Sequence, residues 1–219
     1  MAEHAKEAGG QPVLRGTPRT ILVCGHPILR KRALAVRRAD RQTRGLIEDM
    51  LACMEEAPGL GLAAPQVGES LRIVVAAPQD DEILDADLTS DPDEPYRLLN
   101  PRIVARHGSE VGVEGCLSLP KLQGRVPRAL QVTVKALDER LRPVTIQAEG
   151  LLARVLQHEL DHLDGLLLVD RAEEGSLAWS VPDESEEDGH RLEPASKEEV
   201  LEAFRRMLRD GSDPLSHLI

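Results

Sequence analysis

The chain has 219 residues and a formal net charge of -11; 41% of it is apolar, yet it holds one Phe, one Tyr and one Trp. That length fits one domain whose core must be built from Leu, Val, Ile and Ala. The scarcity of aromatics excludes a base-stacking platform for single-stranded nucleic acid, and the acidic balance opposes phosphate backbones. Three cysteines, Cys24, Cys53 and Cys116, do not make a secreted disulfide framework. No apolar run reaches the roughly 18–20 residues of a membrane span, and the N-terminus has no apolar signal segment. These features predict a soluble cytoplasmic protein with residues 1–18 as a flexible tail.

Arg19 to Val23 is a short apolar run, followed by a turn at Gly25, His26 and Pro27. Leu46, Ile47, Met50, Leu51 and Met54 recur at helical spacing and predict a helix over Thr43 to Glu56. Thr43 is its candidate N-cap, and Pro58 and Gly59 stop it. Leu71 to Ala77 reads as a buried strand, and the acidic stretch Gln79 to Pro95 as a loop. Further strands are predicted at Tyr96 to Arg106, Leu130 to Leu137 and Val144 to Ala148. Gly150 to Leu163 is a second helix, with Gly165 placed to end it. Asp183 to Pro194 reads as a polar linker. Ser196 and Glu199 form a capping box that opens a last helix, Ser196 to Arg209. Strands mostly not separated by crossover helices predict an α+β fold, with mixed or antiparallel sheets.

The second helix carries QHELDHLDG, Gln157 to Gly165. Residues i and i+4 share a helix face about 5–6 Å apart at Cβ, so His158 and His162 can grip one ion. Glu159 is turned roughly 100° away along the helix, which suits it to reach a water rather than the metal. This is the division of labour of H-E-x-x-H: two ligands and a general base. A catalytic site of this kind needs a third protein ligand, from a Cys, a His or a carboxylate. The extended protease motif does not supply it, because Leu168 stands at the position of its third histidine. Cys116, in VEGCLSLP, is either that ligand or a small buried hydrophobe. Cys24 and Cys53, each beside apolar neighbours, are read as buried thiols. GLGLAAPQVG, Gly59 to Gly68, has glycines that permit close approach to a ligand and an amide, Gln66, that can donate hydrogen bonds; it lacks the complete pattern of a phosphate loop.

Taken in order, GLGLAAPQ (59–66), EGCLS (114–118) and QHELDH (157–162) resemble the three signatures of the peptide deformylases, G-x-G-x-A-A-x-Q, E-G-C-L-S and Q-H-E-x-D-H, without a substitution at their fixed positions. GHPILRKRA near the start is similar to the family's G-x-P-x-L-R, and the resemblance runs over residues 21–171. It implies a catalytic domain at 19–171, with sheets around a central H-E-x-x-H helix, followed by a divergent extension at 172–219 with a polar linker and a helix. It implies hydrolysis of the N-formyl group from the initiator methionine of new polypeptides, releasing formate, by attack of metal-bound hydroxide. Cys116, His158 and His162 would hold the metal and Glu159 would be the general base. Gln66 and the backbone N–H of Leu117 would hold the oxyanion. Gly61 would help bind the formyl group, and Leu60 and Leu151 would receive the methionine side chain. Val155, three residues before His158 on the same helix, is added to that pocket from its position, with a plain core residue as the alternative. The working ion implied is Fe(2+), with Zn, Ni or Co able to substitute.

Asp161 and Asp164 are candidate acceptors to orient the histidines; surface carboxylates are the alternative, and the preferred reading for Asp164. Arg125 is expected to stand in for an arginine that some members carry near the substrate backbone, where this chain has Gln123. The resemblance implies N-formyl-Met nascent polypeptides as partners with at most a transient ribosome contact, no DNA, no membrane and a monomer. The last helix mixes Arg205, Arg206 and Arg209 with Glu198, Glu199 and Glu202, which argues against RNA docking through this tail. A different metal hydrolase, such as a protease on the same helix, would leave GLGLAAPQVG unexplained. A non-catalytic deformylase-like protein that binds ribosomes or nascent chains is the alternative from another class. The presence of Gln66, Cys116, His158, Glu159 and His162 together argues against it.

Overall fold

Two antiparallel sheets enclose the helix that carries the histidine pair. The structure, a computed structural model, describes residues 16–57, 59–77, 83–86, 94–186 and 189–215. The N-terminal tail up to residue 15, Pro58, most of the acidic stretch from Gln79 and the pair Glu187–Asp188 lie outside these residues. In chain order the elements are α1 (Arg41–Glu56), β1 (Gly61–Ala63), β2 (Ile73–Ala76), β3 (Ile83–Ala86), β4 (Tyr96–His107), β5 (Glu110–Gly115), β6 (Leu122–Arg128), β7 (Gln131–Leu137), β8 (Pro143–Glu149), α2 (Gly150–Leu163), α3 (Leu168–Arg171), β9 (Ala178–Pro182), β10 (His190–Pro194) and α4 (Lys197–Asp210). One sheet has the order β1-β2-β4-β7-β8-β3 and the other β10-β9-β6-β5. No helix among the described residues is long and apolar enough to cross a membrane.

The six-stranded sheet is covered by a helix on each side, which explains why β2 is apolar throughout. Ile73 and Val75 join a core with Leu46, Ile47 and Met50 of α1. Val74 and Ala76 join the opposite core with Leu152, Leu156, Leu160 and Leu163 of α2. A strand buried on both faces loses the alternation of a half-exposed one. α2 leaves β8 through Gly150 at φ +57° and ends at Gly165 at φ +78°, each a left-handed position that suits glycine. The Gly150–Leu163 bounds agree with the apolar periodicity.

α1 starts two residues earlier than its apolar periodicity predicts. Asp40, not Thr43, is the N-cap: its carboxylate accepts from the Thr43 N–H at 2.9 Å. The Thr43 hydroxyl turns back to the Arg38 carbonyl at 3.0 Å. An aspartate caps and also complements the positive end of the helix dipole, so it takes the position.

The second sheet departs most from expectation. No strand is predicted over KLQGRVPR (121–128), which contains β6, and the polar linker contains β10; in the six-stranded sheet, the acidic loop likewise contains β3, which pairs with β8. β6 turns Leu122, Gly124, Val126 and Arg128 inward, and a glycine and a buried arginine conceal the alternation. β5 exposes most of its residues and gives almost no apolar signal. The chain after Arg171 folds back: β9 pairs with β6 through Leu122↔Trp179 and Gln123↔Ala178. Trp179, Val200 and Phe204 complete a core with Leu122, Val126 and Leu119.

Phe204 is fully buried, with its ring centroid 5.8 Å from that of Trp179. Phe204→Ala is expected to cost about 3–5 kcal/mol of stability in chemical denaturation. A loss below about 1 kcal/mol would be too small for a cavity in a shared core and would show that α4 is peripheral to the fold.

Candidate metal centre

α2 presents His158 and His162 one turn apart, with ring centroids 5.0 Å from each other and planes at 68°. Cys116, just past β5, brings its Sγ to 3.2 Å from His162 Nε2. One ligand atom from each of the three lies within 4.8 Å of the others, and Cys116, His158 and His162 are the group of this kind found among the described residues. One thiol and two imidazoles converging at this spacing suit a borderline-soft divalent ion, such as zinc or ferrous iron, with a position left open for chemistry. Cys24 and Cys53 are buried, free and outside the cluster.

The histidine orientation is set by Glu114. His158 Nδ1 lies 2.9 Å from Glu114 Oε2, which leaves Nε2 to face the ion site. Glu114 itself is gripped by Arg128 through two bonds of 2.9 Å and by Arg154 through a third of 2.9 Å. Burial alone would raise the Glu114 carboxyl, but the His158 and Arg128 hydrogen bonds and their charges bring it down to about 2. Burial likewise opposes a charged His158, yet its bonds to Cys116 and Glu114 raise it well above the ordinary range. His162 is driven well below that range by burial and then by the nearby cations His158 and Arg128. Its Nδ1 is buried without a hydrogen-bond partner.

Asp161 does not orient a histidine, and Asp164 is the surface carboxylate of the preferred reading, 46% exposed at its side chain. Asp161 pairs with Arg128 at 2.5 Å and with Arg171 at 2.7 Å, and Asp164 pairs with Arg72 at 2.7 Å. Both carboxylates are taken up by these arginines, and neither has a hydrogen bond to His158 or His162 among the described residues. Glu114 takes the role instead. A signal for it existed: residues i and i+2 of an extended chain share a face, so Glu114 and Cys116 point the same way. Arg125 also departs from expectation. It is exposed, 3.6 Å from Glu173, and does not line the cavity described next.

A cavity of about 530 Å³ opens over the cluster, bringing Leu60, Gly61, Gln66, Cys116, Leu117, Leu151, Val155, His158 and Glu159 together. His162 is almost fully buried beneath it. Leu60 and Leu151 are each 40% exposed at its rim. Glu159 is 4% exposed; its Oε2 has no hydrogen-bond partner, and burial pushes the carboxyl up to about 7. A Cβ on Gly61 would stand 2.8 Å from Glu159 Oε1 and 2.8 Å from Val155 Cγ1, so a glycine is needed there. Gln66 Oε1 accepts from the Ala63 N–H at 2.8 Å, which turns its Nε2 toward Ser118 Oγ, 3.3 Å away. The amide nitrogen carries two hydrogens and Ser118 takes one. The Leu117 N–H has no acceptor among the described residues.

A family model described as polypeptide deformylase matches residues 18–177. The chain belongs to the polypeptide deformylase family. The peptide deformylase of Thermomicrobium roseum is 48% identical over 169 residues, covering 77% of this chain and 94% of that protein. A peptide deformylase structure from Legionella pneumophila shares 44% identity and a TM-score of 0.63 over 72% of this chain and 87% of that one. A peptide deformylase structure from Ehrlichia chaffeensis, 28% identical with a TM-score of 0.68, covers 89% of this chain and 98% of that one. This deformylase family consists of metal-dependent hydrolases, in agreement with the ligand set found here.

Glu114→Ala is expected to weaken ion binding about 10–100-fold, because His158 loses its orienting acceptor. Chelator competition with zinc as the probe measures this, with circular dichroism confirming the fold. Parental affinity would show that His158 is held in place by other means.

Proposed function

We propose that Cys116, His158 and His162 hold a catalytic metal and that Glu159 works beside it to remove the N-formyl group from the initiator methionine of new polypeptides, releasing formate. The observation that carries this reading is the convergence of the three ligands with a buried, unpartnered carboxylate in one cavity. When bound, a divalent ion at these ligands supplies the Lewis acidity that makes hydroxide available from water near neutral pH. A family of hydrolases does not by itself specify the ion. We assign Fe(2+) as the working one because the resemblance to deformylases implies it; a Cys/His/His set also accepts Zn, Ni or Co.

Glu159 accepts the proton of the attacking water and passes it to the leaving amine. Its carboxyl, raised to about 7 by burial, is close to the affinity at which a group both takes and returns a proton at neutral pH. A cation at the three ligands draws it toward the ionised form that a base requires. Gln66 Nε2 and the Leu117 N–H donate to the oxygen on which negative charge develops. A fixed donor of this kind is worth roughly 2.7–4 kcal/mol. The tight Gly61–Glu159 approach keeps the carboxylate at one place and leaves room for a formyl group beside it. Leu60, Leu151 and Val155 form the apolar side of the cavity, suited to an unbranched methionine side chain. The idle-binder alternative has no observation in its favour.

Formate release from formyl-Met-Ala-Ser, with protein prepared without oxygen and its metal counted in parallel, tests the reading. Glu159→Ala is expected to retain the metal and lose about 10²–10⁴-fold in rate. Hydrolysis by that variant at the parental rate would remove Glu159 as the base. Gly61→Ala is expected to keep the metal and lose about hundredfold in kcat/KM, through displacement of the Glu159 carboxylate. A parental kcat/KM would show that Glu159 tolerates the shift.

A further inference from the structure

A second cavity, of about 620 Å³, opens against a different face of α2 and shares no lining residue with the catalytic one. Six arginines line it, Arg32, Arg72, Arg102, Arg106, Arg128 and Arg171, against two carboxylates, Asp161 and Asp164. The carboxylates are already shared. Asp161 serves Arg128 and Arg171, and Asp164 serves Arg72 at 2.7 Å and Arg32 at 3.5 Å. Arg102 and Arg106, exposed on β4, have no ion pair or hydrogen bond among the described residues. Ser109, past the β4–β5 turn at Gly108, adds a hydroxyl to the same wall.

We propose that this cavity binds a compact phosphate-bearing anion. The excess of guanidinium over carboxylate gives the cavity a positive field within a chain whose net charge is -11. Guanidinium forks match phosphate oxygens in bidentate geometry, and two of the six are uncommitted to any carboxylate. The lining contains no Phe, Tyr, Trp or His, so recognition reads charge rather than a stacked base. A long polyanion would meet the acidic remainder of the surface, which favours a small ligand over RNA. The volume is in the ordinary range for a small-molecule site. Asp161 and Arg128 tie this cavity to the catalytic centre, because Arg128 also holds Glu114 and Glu114 holds His158.

The test is calorimetric titration of the metal-loaded full chain with inorganic phosphate, and separately with glycerol 2-phosphate, each against chloride at matched ionic strength. One-to-one binding is expected, weakened about tenfold or more in Arg102→Ala/Arg106→Ala through loss of two charge-assisted contacts. The double variant alters exposed side chains away from the catalytic cavity, so its thermal unfolding and formate release are expected to match the parent. A preference for one probe tells a free phosphate from an organic phosphomonoester as the ligand. Absence of saturable binding by both probes would overturn the proposal. Equal affinity in the double variant would also overturn it, since the anion would then sit elsewhere, at the metal for instance.

Discussion

Glu114 is the charge on which the two halves of the molecule meet. It sits on β5 of the four-stranded sheet, accepts from Arg128 of β6 and Arg154 of α2, and orients His158. A buried carboxylate is costly unless it is paired and hydrogen-bonded, and this one is bonded at both oxygens. Breaking one partner leaves the others as uncompensated buried charge, so the network acts as a unit. The same bonds that join sheet to helix therefore aim His158, one of the proposed ligands. Stability and the geometry of the candidate site are carried by one group.

The carboxylate proposed as the base is the counterpart. Glu159 is buried on the same helix but has an oxygen without any partner. Leaving a polar atom unsatisfied costs stability, roughly 1–3 kcal/mol for a group of this type. The fold holds it there by packing: Gly61 and Val155 close around it, and Leu152, Leu156 and Leu160 anchor the opposite side of α2 in the large sheet's core. Glu114, fully bonded, is depressed to about 2, and Glu159, unbonded at one oxygen, is raised to about 7. Two carboxylates of one site are thus separated into a permanent anion and a group that can carry a proton: both are buried, but hydrogen bonds and neighbouring charges outweigh burial only at Glu114.

The extension after Arg171 is part of this construction. β9 and β10 extend the sheet whose other strands carry Glu114 and Arg128, and Trp179 and Phe204 fill its core. Lys197 of α4 and Arg30 both pair with Asp170 of α3, which sets α3 against the start of the chain. The region least similar to the family's signatures therefore supports the strands that support the site.

Helices α1, α2 and α4 and strands β2, β4, β7 and β8 were legible because each carries its own period: apolar residues at 3.6 or 2, or an unbroken buried run. Strands β5, β6, β9 and β10 were not, since a sheet with one wet face, an inward arginine and a glycine leaves little alternation to read. The residues proposed as metal ligands and base were legible because their spacing on α2 and the three signatures are local features. Glu114 as the orienting acceptor, and Asp161 and Asp164 as arginine partners, were not. Those pairings join residues 10 to 92 positions apart, and a chain cannot disclose which carboxylate wins a shared arginine before its strands are in register. By itself the sequence determined the family and the residues proposed as ligands and base, because such chemistry demands particular residue types at short spacing. Only the tertiary structure decided which charges meet, because burial and distance, not residue type, select the partner.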